Sequence, residues 1–154
     1  MGSDICRCSC GHIEFHVKEQ PLIRIYCHCN ICQSFNKADF ADVLIYDNKA
    51  ITEPAEGMVA YKSYKDKSPI LRGKCPHCDN PILEKTISGG KFWIIPRSAF
   101  KDKDDFPTPV AHMFYETRRA DIDDDIAKYK SGIFGNLMVA RHVILAKLFK
   151  NKRG

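Results

Sequence analysis

The sequence predicts a mainly β single domain with a C-terminal helix, on three observations. Short segments alternate apolar and polar residues in period two, glycines and prolines punctuate them at close intervals, and one late segment repeats its apolar residues at helical spacing. A chain of 154 residues, 44% hydrophobic and 28% charged, has the balance of one ordinary packed core.

Taken in order, residues 12–17 and 23–26 alternate as half-buried strands do. Residues 58–64 and 91–95 are rich in aromatic and β-branched side chains, and strands are also expected over 82–87 and 111–115. Gly57, Gly73, Gly89 and Gly90, with prolines at 54, 69, 81, 96, 107 and 109, mark the turns between them. Helix is expected just after Cys32, near Arg97 to Phe100, around Asp124 to Lys130, and from about Asn136 to Lys150. No repeat of the usual lengths and no low-complexity linker interrupts the chain.

The net charge of +5 is unevenly placed. Residues 133–154 hold Arg141, Lys147, Lys150, Lys152 and Arg153 and no acid, which leaves nineteen bases against nineteen acids in residues 1–132. The body is formally neutral, so nucleic acid is not an expected partner. These numbers also suggest the division into a domain over 1–132 and a basic amphipathic helix or tail over 133–154.

That tail has a broad apolar face of Ile133, Phe134, Leu137, Met138, Ile144, Leu145, Leu148 and Phe149, with Arg141 in its middle. The expectation is a helix packed on its own body or on a second copy, with Arg141 paired to an acid such as Asp123, and a homodimer through this helix is left open. Its longest apolar stretch, Leu137 to Phe149, is broken by Arg141, His142 and Lys147, so no transmembrane segment is expected.

Eight cysteines fall in three knots: Cys6, Cys8 and Cys10; Cys27, Cys29 and Cys32; Cys75 and Cys78. With no export signal recognised ahead of them, they read as metal ligands of a cytoplasmic protein rather than as disulfides. Cys27 and Cys29 point to one side of a strand and the following turn brings Cys32 round, so three thiolates can converge on one tetrahedral ion. Cys75-Pro76-His77-Cys78 has the two-residue gap of a zinc knuckle, which needs a partner pair, and Cys8-Ser9-Cys10-Gly11 is the natural candidate. Cys6 is expected to be a free thiol. His28 and His77 are each flanked by better-placed sulfurs and are not expected to ligate.

Other chemistries lack their motifs. Asp121 to Asp125 resemble a calcium loop, but its sixth and twelfth positions would be Ile126 and Gly132, where a glycine and a bidentate glutamate are required. No nucleophile elbow and no glycine-rich phosphate loop is present.

Cys-x-Cys-Gly near the start, Cys-His-Cys-x-x-Cys some twenty residues on, and Arg72 ahead of Cys-Pro-x-Cys together resemble the glutathione-dependent formaldehyde-activating enzyme family, which includes centromere protein V. The resemblance implies a zinc-stapled β-tent fold with zinc as cofactor, two ions per chain. It implies Cys8, Cys10, Cys75 and Cys78 as ligands of a structural zinc, and Cys27, Cys29 and Cys32 as ligands of a catalytic-type zinc with an open position. The activity it implies is that of a carbon–sulfur lyase acting on glutathione or a thiol–aldehyde adduct, of the S-hydroxymethylglutathione synthase type. The alternative is a non-catalytic zinc module for a protein or nucleic-acid partner. The sequence departs from the common family pattern at Asn36 and Asp79, where glycine is usual, and at Asp121, near which a tryptophan is often found.

Overall fold

A computed structural model describes residues 3–152. The chain is mainly β with one long C-terminal helix, as the sequence predicts. It divides into two compact units, one made by the chain up to Pro21 with Leu44–Phe106, the other by Leu22–Val43 with the chain from Pro107 on.

In the first unit, β1 (Asp4–Arg7) and β2 (Glu14–Val17) form an antiparallel hairpin. In β2, Phe15 and Val17 are buried while Glu14 and His16 are exposed, the alternation that a one-sided strand requires. The larger sheet of this unit runs in the order β5 (Ala60–Lys62), β6 (Ile70–Lys74), β7 (Pro81–Thr86), β8 (Phe92–Pro96) and β4 (Ala41–Asp47). Strand β4 begins in the second unit and ends here. Its residues Val43 to Tyr46 are all buried, and such a run carries no period-two signal, which is why the sequence gives no sign of this strand. A single core joins Ile13, Phe15, Leu44, Tyr46, Ile82, Leu83, Ile95 and Phe100, and Cys8 and Cys75 are part of it.

One buried ion pair crosses this sheet. Arg72 on β6 and Glu84 on β7 stand opposite each other in register, with Arg72 Nε 3.2 Å from Glu84 Oε2 and both side chains almost fully enclosed.

The second unit pairs β3 (Ile23–Cys27) in parallel with the short β9 (His112–Met113), matching Tyr26 with His112 and Cys27 with Met113. Ile23, Ile25 and Cys27 are buried, and Arg24 and Tyr26 between them are half-buried. Arg24 grips Asp42 with both arms, Nε to Oδ1 at 2.8 Å and Nη2 to Oδ2 at 2.7 Å. Helix α1 (Asn30–Asn36) follows β3, capped at its start by Cys29, whose side chain accepts from the Cys32 N–H. Lys37 ends it in the left-handed conformation, φ +51°.

Residues 124–130 do not form the helix that was expected. The backbone there bonds to β9 instead: His112 N–H donates to Ala127 O at 2.7 Å and Tyr129 N–H to His112 O at 2.9 Å. The Asp124 carboxylate accepts from Ile126 N–H, a local turn that competes with the first helical bonds.

Helix α2 (Gly132–Asn151) is longer than predicted and packs against β3 and β9 in its own unit. Only Gly135 and Val143 are buried along it, and Gly135 lets the backbone approach closely, since a Cβ there would lie 2.5 Å from Met113 Cε. Arg141 makes no ion pair among the described residues, contrary to the expected link with Asp123. Among those residues α2 is the one helix long and apolar enough to cross a membrane by length and composition, despite Arg141 and Lys147. Arg153 of the basic tail lies outside the described residues. We propose 1–132 as the folding unit: a chain ending at Gly132 should still melt cooperatively, with a loss of about 2 kcal/mol from exposing the Val143 site. Calorimetry of the truncated chain checks this, and an insoluble or non-cooperative product would contradict it.

Candidate metal centres

No disulfide joins the eight cysteines, and seven of them gather into two groups. Cys8, Cys10, Cys75 and Cys78 form one, with their sulfurs all within 4.8 Å of one another; Cys27, Cys29 and Cys32 form the other by the same measure. Cys6 joins neither; it is fully buried on β1, where desolvation pushes its thiol far above the usual range.

The four-cysteine group is built by two turns. After β1, Cys8 N–H donates to Ile13 O at 3.1 Å and Gly11, at φ +76°, closes the turn with its N–H on Cys8 O at 3.0 Å. After β6, Cys75 N–H donates to Asn80 O and Asp79 N–H to Cys75 O, both at 2.9 Å. The turns are tied by Asn80 Nδ2 donating to Ser9 Oγ. Cys8 and Cys10 sulfurs are 3.5 Å apart and Cys10 and Cys75 sulfurs 3.7 Å apart. A tetrahedral zinc with Zn–S bonds of about 2.3 Å sets its sulfurs roughly 3.8 Å apart, so the donor set fits that ion.

Electrostatics point the same way. Desolvation opposes ionisation of Cys78, yet backbone N–H groups and the neighbouring thiols outweigh it and hold this thiol down to about 6. At Cys10 a backbone N–H near His12 favours the thiolate, but desolvation and the other three sulfurs push it up to about 12. Four sulfurs this close cannot all ionise unless a cation sits among them, which is what a divalent metal provides.

Asp79 occupies the left-handed region, φ +57°, a conformation that favours glycine. Its carboxylate accepts from Lys74 Nζ at 3.1 Å, a local bond that helps hold the conformation. Asp79→Gly should therefore change stability little, between about −0.5 and +1 kcal/mol, by relieving the backbone and losing the exposed ion pair. Denaturant unfolding measures it; a loss above about 2 kcal/mol would show that the carboxylate matters more than the turn.

The three-cysteine group lies where β3 runs into α1. Cys27 ends the strand, Cys29 caps the helix and Cys32 sits in its first turn. Cys32 N–H donates to Cys29 Sγ at 3.3 Å. The hydrogen bonds of Cys29 and Cys32, then burial, push the Cys27 thiol well up, so these sulfurs too need a cation before all three ionise.

The intervening residue is clamped from several sides. His28 N–H donates to Met113 O at 2.9 Å, while its carbonyl accepts from Gln33 Nε2 at 2.6 Å and from Thr117 Oγ1 at 2.9 Å. Gln33 also donates to Thr117 O and accepts from Arg119 Nε at 3.1 Å. The His28 ring points into a chain the sequence did not reveal: Nε2 is 2.9 Å from His112 Nδ1, His112 Nε2 is 2.9 Å from Asp124 Oδ2, and Lys128 Nζ donates to Asp124 Oδ1 at 2.6 Å. The Lys128 hydrogen bond, then that of His112, holds Asp124 down to about 2, and burial, then the His112 ring, pushes His28 down to about 4. An ionised Asp124 only accepts, so His112 Nε2–H donates to it, which leaves His112 Nδ1 as acceptor and makes His28 Nε2–H the donor. Neither His28 nor His77 is in a metal-binding group, and His77 instead stacks on His12 with centroids 3.6 Å apart. Asp124→Ala should cost about 1–3 kcal/mol by leaving buried His112 without its acceptor, and leave metal at the four-cysteine group unchanged. Melting and metal content of the variant check both parts.

The chain superposes with a TM-score of 0.53 on the crystal structure of a Rhodobacter sphaeroides protein at 12% identity, covering 65% of this chain and 90% of that one. At that identity the likeness concerns the fold alone. No curated protein matches the chain significantly. The family described as glutathione-dependent formaldehyde-activating enzyme matches residues 4–117, a span that contains both cysteine groups. Over most of its length, then, the chain belongs to the glutathione-dependent formaldehyde-activating enzyme family.

Proposed function

We propose that the chain holds two zinc ions, a structural one on Cys8, Cys10, Cys75 and Cys78 and a catalytic-type one on Cys27, Cys29 and Cys32, and that it acts on glutathione–formaldehyde adducts. The observation that carries the reading is the three-cysteine group itself, which has no fourth histidine, cysteine or carboxylate among the described residues. Three protein ligands with an open position are the pattern of a zinc that acts on a ligand, whereas four sulfurs make a closed structural site.

When bound at Cys27, Cys29 and Cys32, zinc supplies a Lewis acid that lowers the pKa of a thiol such as that of glutathione, whose free value is about 8.5. The chain's part is to keep the site rigid. Gln33 and Thr117 fix the His28 carbonyl, and the Asp124–His112–His28 chain fixes its ring, so the flanking Cys27 and Cys29 cannot swing apart. In the reaction, the thiolate sulfur attacks the formaldehyde carbon and a C–S bond forms. The carbonyl electron pair moves to oxygen, which takes up the proton the thiol released, giving S-hydroxymethylglutathione; the lyase direction reverses each step. Zinc held by cysteinates at both sites would suit a compartment that keeps thiols reduced, as the cytoplasm does.

The test is exchange-rate measurement by NMR on glutathione and formaldehyde at equilibrium with zinc-loaded protein. Adduct exchange should accelerate above the spontaneous rate with wild-type protein and return to it with Cys29→Ser. Equal rates with and without wild-type protein would leave a non-catalytic zinc module as the better reading.

A further inference from the structure

The family match stops at residue 117, and α2 lies beyond it. This helix is arranged the opposite way from an ordinary surface helix. Its small residues face inward, with Gly135 and Val143 buried against the unit, while its large apolar residues face out. Ile133 is 82% exposed, Phe134 69%, Leu137 66% and Phe149 62%, with Ile144 and Leu148 also more than half exposed. At about 100° per residue these side chains fall on one continuous arc. A face of this kind marks a binding surface.

We propose that α2 docks flat on an anionic lipid surface, its outward face in the boundary between headgroups and acyl chains. Two properties select this occupant. From 132 to 152 the helix and its end carry Arg141, Lys147, Lys150 and Lys152 and no acid, so the partner is negatively charged. The same partner must also receive a long row of bare apolar side chains, and an anionic bilayer offers both phases side by side.

Arg141 argues against the other occupants. It lies at the midpoint of α2 and within the apolar arc, so a two-fold pairing of α2 with its copy would press Arg141 against Arg141 in an apolar contact. Length and hydropathy alone would allow α2 to cross a membrane, but Arg141 and His142 would then lie at the bilayer centre. Gly135 and Val143 are also committed to the protein side. Lying flat, Arg141 keeps its aliphatic stem among the acyl chains and reaches a lipid phosphate with its guanidinium.

The experiment is co-sedimentation of the full chain with phosphatidylcholine vesicles, plain or containing about one third phosphatidylserine. Wild-type protein should pellet with the anionic vesicles and stay in solution with the plain ones. Leu137→Ser/Leu148→Ser changes no charge and only exposed positions, and should lower the partition coefficient at least about tenfold with an unchanged melt. Arg141→Gln should lower it roughly fivefold. The proposal is overturned if wild-type protein ignores both vesicles, if the serine variant binds like wild type, or if light scattering finds a dimer that the serine variant dissolves without any vesicle binding. Resistance of the expressed protein to alkaline carbonate extraction would make α2 a span and overturn it too.

Discussion

Cys78→Ser should fail to fold. The four-cysteine centre joins segments 65 residues apart, and its ligands Cys8 and Cys75 are part of the core of the first unit rather than a surface appendage. A structural zinc contributes an apparent 10 kcal/mol or so, comparable with the whole stability of an ordinary domain. Losing one ligand leaves three partly enclosed sulfurs with mutual repulsion and a weaker grip on the ion. Soluble yield and a thermal melt followed by circular dichroism should show aggregation or a non-cooperative transition. Cys29→Ser is the contrast. Its centre closes only the short segment from Cys27 to Cys32, so the melt should stay cooperative. A Cys78→Ser protein that melts like wild type would remove the structural role from this centre.

Glu84→Ala should cost about 3–5 kcal/mol, the second large effect, because it leaves the Arg72 guanidinium buried with its counter-charge gone. Replacing both partners, as Arg72→Met with Glu84→Leu, should cost far less, since two well-packed apolar side chains have no charge to desolvate. Chemical denaturation of both variants decides the matter. If the single and double variants lost the same stability, the charge pair would matter only for its packing volume.

The two cysteine groups were legible in the sequence and the side chains around them were not, for a definable reason. Ligands cluster in sequence: Cys27, Cys29 and Cys32 lie within one turn and a strand end, so their convergence follows from local geometry. The gathering of Cys8 and Cys10 with Cys75 and Cys78 follows from the expectation that a two-cysteine knuckle needs a partner pair. The groups that orient the second site do not cluster. His28 and His112 are separated by 84 positions, and so are Gln33 and Thr117, and no spacing rule announces either contact. Strand β4, missed along with β1 and β6, and the unformed helix at 124–130 have related causes. Both are settled by tertiary hydrogen bonding, which overrides local pattern where the chain is enclosed or competes with a neighbouring strand. The left-handed backbone at Asp79 was visible only as a departure from a family glycine, and the structure supplies its meaning.

The central claim, two independent cysteine-held zinc ions with one of them open, is tested most directly by zinc content together with zinc-edge X-ray absorption on wild type and Cys29→Ser. Wild-type protein should carry two zinc ions per chain with a mixed shell, mostly sulfur plus a lighter atom, and glutathione should replace the lighter atom with sulfur. Cys29→Ser should carry one, in an all-sulfur shell that glutathione does not alter. A single zinc in wild-type protein, or an all-sulfur shell in wild type unmoved by glutathione, would contradict the account.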